Sequence, residues 1–198
     1  MSLLDLMKTT ILLVSALLIS PFAKGADDDK PVPPAIQTLS EALISALKSG
    51  DEAAVTACWH TPAALGKVKG AEATRTAGTA KTPVDPVDPV DPVKETEREE
   101  KRQVKNQAEA VKIVGQMRAM ITKYFGEVAQ IKFSKVKMDL DPDSPSDAPV
   151  YEDIDIHLLA ADGAHLKITV EKAIQIEGVW KFKGELDNDL VLALPDEG

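Results

Sequence analysis

The chain has 198 residues, a formal charge of −9 and an aromatic content of 4%. An acidic balance argues against nucleic acid or an anionic membrane as the main partner, since both demand basic protein surface, and so few rings leave little for stacking-based recognition. Cys58 is the single cysteine, so no intramolecular disulfide forms and the fold must rest on burial.

Residues 1–25 have the pattern of a secretory signal. Lys8 precedes an apolar core from Thr9 to Phe22, and Ala23-Lys24-Gly25 offers small residues for cleavage. The apolar run falls short of the roughly 20 residues a spanning helix needs; retention as an anchor is the alternative. Cleavage removes Lys8, Lys24 and Asp5, so the mature chain is one unit more acidic. A secreted or periplasmic location follows, with no membrane contact after cleavage. Residues 26–34 are acidic and proline-rich and read as a disordered lead-in.

Residues 35–61 are the helical part of an α+β domain. Ile36, Leu39, Leu43 and Leu47 recur at helical spacing until Gly50 stops the helix. Ser49 and Glu52 have the spacing of a capping box for a second short helix, which ends before Pro62. From 62 to 93 the composition shifts to proline, alanine and glycine, which reads as a linker. Pro83, Pro86, Pro89 and Pro92 recur every third residue, the period of a polyproline II helix, making the VDP repeat a semi-rigid spacer; a partner reading its valine stripe is the other possibility.

Residues 94–188 supply a long helix and an antiparallel strand meander. The helix begins with an all-polar stretch, Glu95 to Gln103, that predicts a solvated start. Val104, Ala108, Val111, Val114, Met117, Ile121 and Tyr124 or Phe125 then form its apolar face, and Gly126 closes it. At about 45 Å for about 30 residues, its first turns should overhang the sheet or fray. The first strand, Gln130 to Leu140, slips its alternation near Ser134 and Lys135, which predicts a β-bulge. Asp141, Asp143 and Asp147 follow in a turn-rich loop that lacks the glycine and closing glutamate of a calcium loop, so a solvated connection is expected.

Tyr151 to Leu186 organises the meander. Val150, Ile154, Ile156 and Leu158 alternate with Tyr151, Asp153, Asp155 and His157, and Leu166, Ile168, Val170, Ile174 and Ile176 repeat the even parity. A two-residue Asp162-Gly163 turn would set the two apolar sets on opposite faces, so a three-residue loop, Ala161-Asp162-Gly163, is required. That register places Glu152 opposite Lys172 as the two charges on an otherwise apolar face. Two readings are open: an ion pair at the sheet rim, or a polar pair inside a pocket. Trp180, Phe182 and Leu186 continue the pattern, with Gly184 across from Lys172. Residues 189–198 are a C-terminal tail.

The pattern resembles the nuclear transport factor 2-like superfamily, which includes ketosteroid isomerase-like and polyketide cyclase-like proteins. ALKSGDEAAV (Ala46 to Val55), a helix ending ITKYFGEV and a meander closing in EGVWKFKGEL carry the resemblance. It implies helices on a curved antiparallel sheet of about four strands, cone-like, here with a proline-rich insertion where the family has a small hairpin. A cystatin-like helix on a meander is the other architecture.

No phosphate loop, HExxH or nucleophile elbow is present. Cys58, on an alanine-rich helix, reads as a small core residue. Trp59, His60, Tyr124, Glu152, Lys172 and Trp180 are the residues placed to line a pocket or its mouth. Asp155 and His157 point the same way off the outer face, as would suit a metal, an oriented base, or simply a solvated or dimer-facing surface. No metal or cofactor is expected. The expected function is a binding or interaction module without catalysis, taking a small hydrophobic ligand or a protein, with a homodimer through the outer sheet face as a further possibility. The alternative is a small-molecule lyase or isomerase with Glu152 as acid/base and Lys172, Tyr124 or His60 polarising a carbonyl. A long helix filling the apolar face, with both charges at the solvent edge, would remove that alternative.

Overall fold

The computed structural model describes residues 32–79, 91–144, 148–187 and 191–192; the signal segment, most of the VDP repeat, Asp147 and most of the C-terminal tail lie outside them. All the elements below belong to one unit, Val32–Gly198.

Helix α1 (Pro34–Ser49) starts with proline at its first position, where a missing N–H costs nothing. Ile36, Leu39, Leu43 and Leu47 are buried as their spacing predicts. Gly50 ends it in the left-handed region (φ 71°), its N–H reaching the Ala46 carbonyl. The Arg118 guanidinium donates to the Leu47 and Lys48 carbonyls at this terminus, a cation where the helix dipole is negative. Because Ser49 is the last residue of α1, it cannot cap the next helix. Asp51 caps α2 (Glu52–Ala57) instead, its Oδ1 accepting the Ala53 and Ala54 N–H groups at 2.9 and 3.1 Å. A single aspartate cap therefore replaces the expected capping box.

The linker expected over 62–93 is not what the chain forms from Pro62 to Thr79. That stretch is a third helix, α3 (Pro62–Thr79). Pro62 again occupies a first helical position, and Thr61 Oγ1 accepts the Ala64 N–H at 3.3 Å. The alanines that suggest a loose linker are strong helix formers. Gly66 and Gly70 lie four apart and mark a close approach to the next helix. A Cβ on Gly66 would come within 2.7 Å of Glu100 Cγ, and one on Gly70 within 2.5 Å of Thr96 Oγ1.

Helix α4 (Pro92–Tyr124) begins inside the last VDP triplet, with Asp91 as its cap and Pro92 at its start. Pro92 and Val93 are thus helical, not polyproline. The first turns of α4 neither overhang nor fray; α3 covers them. The buried stripe runs Glu99, Gln103, Asn106, Ala110, Ile113, Val114, Met117 and Ile121. Val104, Ala108 and Tyr124, expected on that face, are exposed.

A 3-10 turn (Val128–Gln130) precedes β1 (Lys132–Leu140), which starts two residues later than expected. Its register against β2 (Val150–Leu159) shifts between Phe133 and Lys135, the predicted bulge. β2 pairs with β3 (His165–Ile176) as Leu158↔Leu166, Ile156↔Ile168, Ile154↔Val170 and Glu152↔Lys172, the predicted register. The three-residue loop is formed, with Ala160 N–H donating to the Ala164 carbonyl and Gly163 at φ 87°. β4 (Val179–Leu186) follows a tight turn, and short β5 (Val191–Leu192), in what reads as tail, pairs with β3 beyond the end of β4.

Among the described residues the result is an α+β fold: four helices packed with an open antiparallel sheet in the order β1-β2-β3-β4. The core joins α1, the C-terminal half of α4 and one sheet face. Ile36, Leu43, Met117, Ile121, Ile154, Ile156, Leu158 and Phe182 are all fully buried in it.

Candidate functional site: a cleft along the sheet bend

Two strand pairings shift register at the same level of the sheet. β1 and β2 shift between Lys137 and Asp139, where Asp153 takes φ 47°. β3 and β4 shift between Val170 and Lys172, where Gly184 takes φ 84°. Bulges bend a strand and move later side chains to the other face. The burial pattern follows: Val170 and Leu186 are buried before the line, Ala173 and Phe182 after it. The inner parity therefore changes from even to odd along β3.

This corrects the placement of Glu152 and Lys172. They are cross-strand partners joined by an ion pair, but they do not share the buried face. Glu152 pairs with exposed Asp139, and about a third of each side chain is in solvent (31% and 32%). The hydrogen bond to Glu152 is what raises the Lys172 pKa. Gly184 is not opposite Lys172 either; Lys183 is. The space beside Gly184 holds Glu171, whose Oε2 would lie 2.0 Å from an added Cβ and accepts the Glu185 N–H at 3.0 Å.

The other residues expected around a pocket are dispersed. Trp59 is 2% exposed, stacks on Phe182 at 5.3 Å and donates from Nε1 to the Gly184 carbonyl. Residues 58–60 run beside β4: Phe182 N–H donates to the Cys58 carbonyl and His60 N–H to the Phe182 carbonyl. His60 is buried, and its Nε2–H donates to the Ile174 carbonyl at 3.0 Å. Burial lowers its pKa, only partly offset by that bond. Its carbonyl accepts from the Gln103 and Gln107 amides at 2.8 and 3.1 Å. Trp59 and His60 thus close the β4 edge rather than a mouth. Tyr124 is 60% exposed. Trp180 packs on Tyr151 with ring centres 5.4 Å apart. Burial pushes the Cys58 thiol up to about 11, so it carries little thiolate at neutral pH.

Asp155 is committed to Lys167 and Thr169 at 2.8 and 2.6 Å. Among the described residues no group of three potential ligands could hold a metal ion, and no helix is long and apolar enough to cross a membrane.

What the bend creates is a half-open cleft of about 610 Å³ between α4 and the irregular strand positions. From α4, Asn106, Glu109 and Ile113 face it from one side of the helix, with Lys105 beside them. From the sheet come Asp153, Thr169 and Glu171, and from the β4 end Glu185, Leu186 and Asp187. Ile113, Leu186 and Asn106 are buried and make the floor; the five carboxylates are exposed and make the walls, against one ammonium.

None of the six expected pocket residues lines this cleft. Its signals in the sequence are two adjacent charges, Glu171-Lys172, interrupting an alternating strand, and a glycine inside a strand pattern, which marks a bulge. Comparison with protein-family models, curated proteins and solved structures finds no match in any of the three.

Proposed function

We propose that this chain is a secreted or periplasmic binding module without catalysis, and that its ligand seats in the cleft between α4 and the sheet bend. The observation that carries the reading is the cleft itself. A volume of about 610 Å³ falls within the range of small-ligand sites, and a buried apolar floor with polar walls is their usual construction. The leader pattern of residues 1–25 supports the location, and the resemblance to nuclear transport factor 2-like proteins agrees with a ligand held between a long helix and a bent sheet. The walls favour a ligand with polar or charged groups over a plain hydrophobe.

The lyase or isomerase alternative has lost its pair. Glu152 and Lys172 are bonded to each other, part-exposed, and neither lines the cleft. Thermal-shift screening of the full chain against neutral, anionic and cationic small molecules tests the proposal, followed by hydrogen exchange on the hits. A stabilising ligand of any charge that slows exchange around residues 169–171 and 184–187 supports it. Ligands that protect only other segments, or that are chemically converted, overturn it.

A further inference from the structure

Three features of the cleft restrict what it takes. Its walls carry Glu109, Asp153, Glu171, Glu185 and Asp187, with Lys105 among the lining residues and Glu109 paired with Lys112 at 2.9 Å. Its floor offers apolar surface from Ile113 and Leu186. The third feature is independent of the charges. Asn106 is 95% buried by residue (5% exposed) and lines the cleft, yet its side-chain amide receives no hydrogen bond from the described residues. Its polar atoms are not among those sealed off from the surface without a partner, so the amide reaches the cleft. With no protein partner, the amide is left to water or to a ligand that enters the cleft.

We propose that the cleft binds an alkylammonium group, with the methylene chain on Ile113 and Leu186, the ammonium hydrogens on Asn106 Oδ1 and the charge balanced by the surrounding carboxylates. The inference rests on the cleft being the binding site. The chemistry follows from complementarity. An ammonium is donor-only and presents three hydrogens. A carboxylate or phosphate would meet a net excess of negative charge in the same space, even with Glu109 paired to Lys112 and Lys105 in the lining. Glu171 is already oriented, since its Oε2 is fixed on the Glu185 N–H; a preorganised acceptor costs less ordering on binding. The same chemistry serves a free diamine or the lysine side chain of a partner protein.

Calorimetry on the full chain separates these possibilities, using 1,5-diaminopentane, its neutral counterpart 1,5-pentanediol, and an end-blocked Gly-Lys-Gly peptide. Binding of the diamine at least tenfold tighter than the diol, weakening as salt rises, is the expected result. Preference for the diamine over the peptide assigns a free amine; the reverse assigns a lysine side chain. Asp153→Asn keeps a residue that tolerates the left-handed conformation and removes one charge, so it should weaken binding about threefold to tenfold, the worth of one partly exposed ion pair. Asn106→Leu should weaken it about tenfold, by removal of the floor acceptor. Equal binding of diol and diamine, or unchanged amine binding in both variants, overturns the assignment. A neutral ligand found in the cleft would overturn it too, while leaving the binding-module reading intact.

Discussion

The two halves of α4 bury the same stripe with opposite chemistry. The C-terminal half offers Ala110, Ile113, Val114, Met117 and Ile121 to α1 and the sheet; the N-terminal half offers Glu99, Gln103 and Asn106. Apolar contacts hold the first set without directional demands. In the second, Gln103 donates to the His60 carbonyl, and Glu99 sits 2.9 Å from Arg102 and 3.9 Å from Lys183. One half of the helix is held by burial and the other by matched polar partners. The boundary between them, at Asn106, is where the cleft opens.

The sharpest way to break this contrast is in the apolar half. Met117→Ala should destabilise the protein by about 2–5 kcal/mol, since Met117 is fully buried and its loss leaves a cavity under the sheet; a urea midpoint close to wild type would contradict a core centred there. In the polar half, Gln103→Leu should cost about 1–2 kcal/mol, because the volume is kept while the His60 carbonyl loses its shorter donor and retains only Gln107. A loss as large as that of Met117→Ala would mean the polar half is held by packing after all.

The pH dependence of stability sharpens the same point. Burial lowers the pKa of His60 at this end of α4, and burial together with Lys135 lowers that of His157 on the opposite sheet face. The unfolded chain then binds more protons than the native one below the ordinary histidine value near 6.5. The stabilisation is complete above that value and is lost as pH falls below it towards the depressed folded values. Urea titrations from pH 7 to pH 5 should show a falling midpoint, with a smaller slope in His60→Gln; an unchanged slope would show that His60 takes up a proton freely in the native state. The smallest effect belongs to the pair that the bend turns outward. Glu152→Gln should cost under about 1 kcal/mol, the loss diminishing in high salt, as for a solvent-screened ion pair.

Much of the sheet is legible in the sequence. Its period-two pattern carries register directly: one misplaced residue would turn Ile154, Ile156 and Leu158 outward, so the three-residue loop and the Ser134 bulge follow from parity alone. Helix α1 is legible for the same reason at period 3.6. Helix α3 is not, because alanine, glycine and threonine carry little amphipathic signal and its glycines serve a neighbour that only packing supplies. The buried face of early α4 is hidden by polarity: Glu99 and Gln103 read as solvated until His60, Lys183 and α3 are beside them.

The α+β class, the strand register and the pairing of Glu152 with Lys172 thus follow from the sequence, because alternation and turn chemistry are local or cross only one hairpin. Which face that pair occupies is a property of the assembled sheet. The parity change at Asp153, Glu171 and Gly184 arises from two register shifts at one level of the sheet, and its traces within single strands, Glu171-Lys172 and Gly184, do not by themselves fix which face each residue takes. The same bend places the candidate site away from the paired charges, in the acidic cleft beneath α4 with buried Asn106 at its floor.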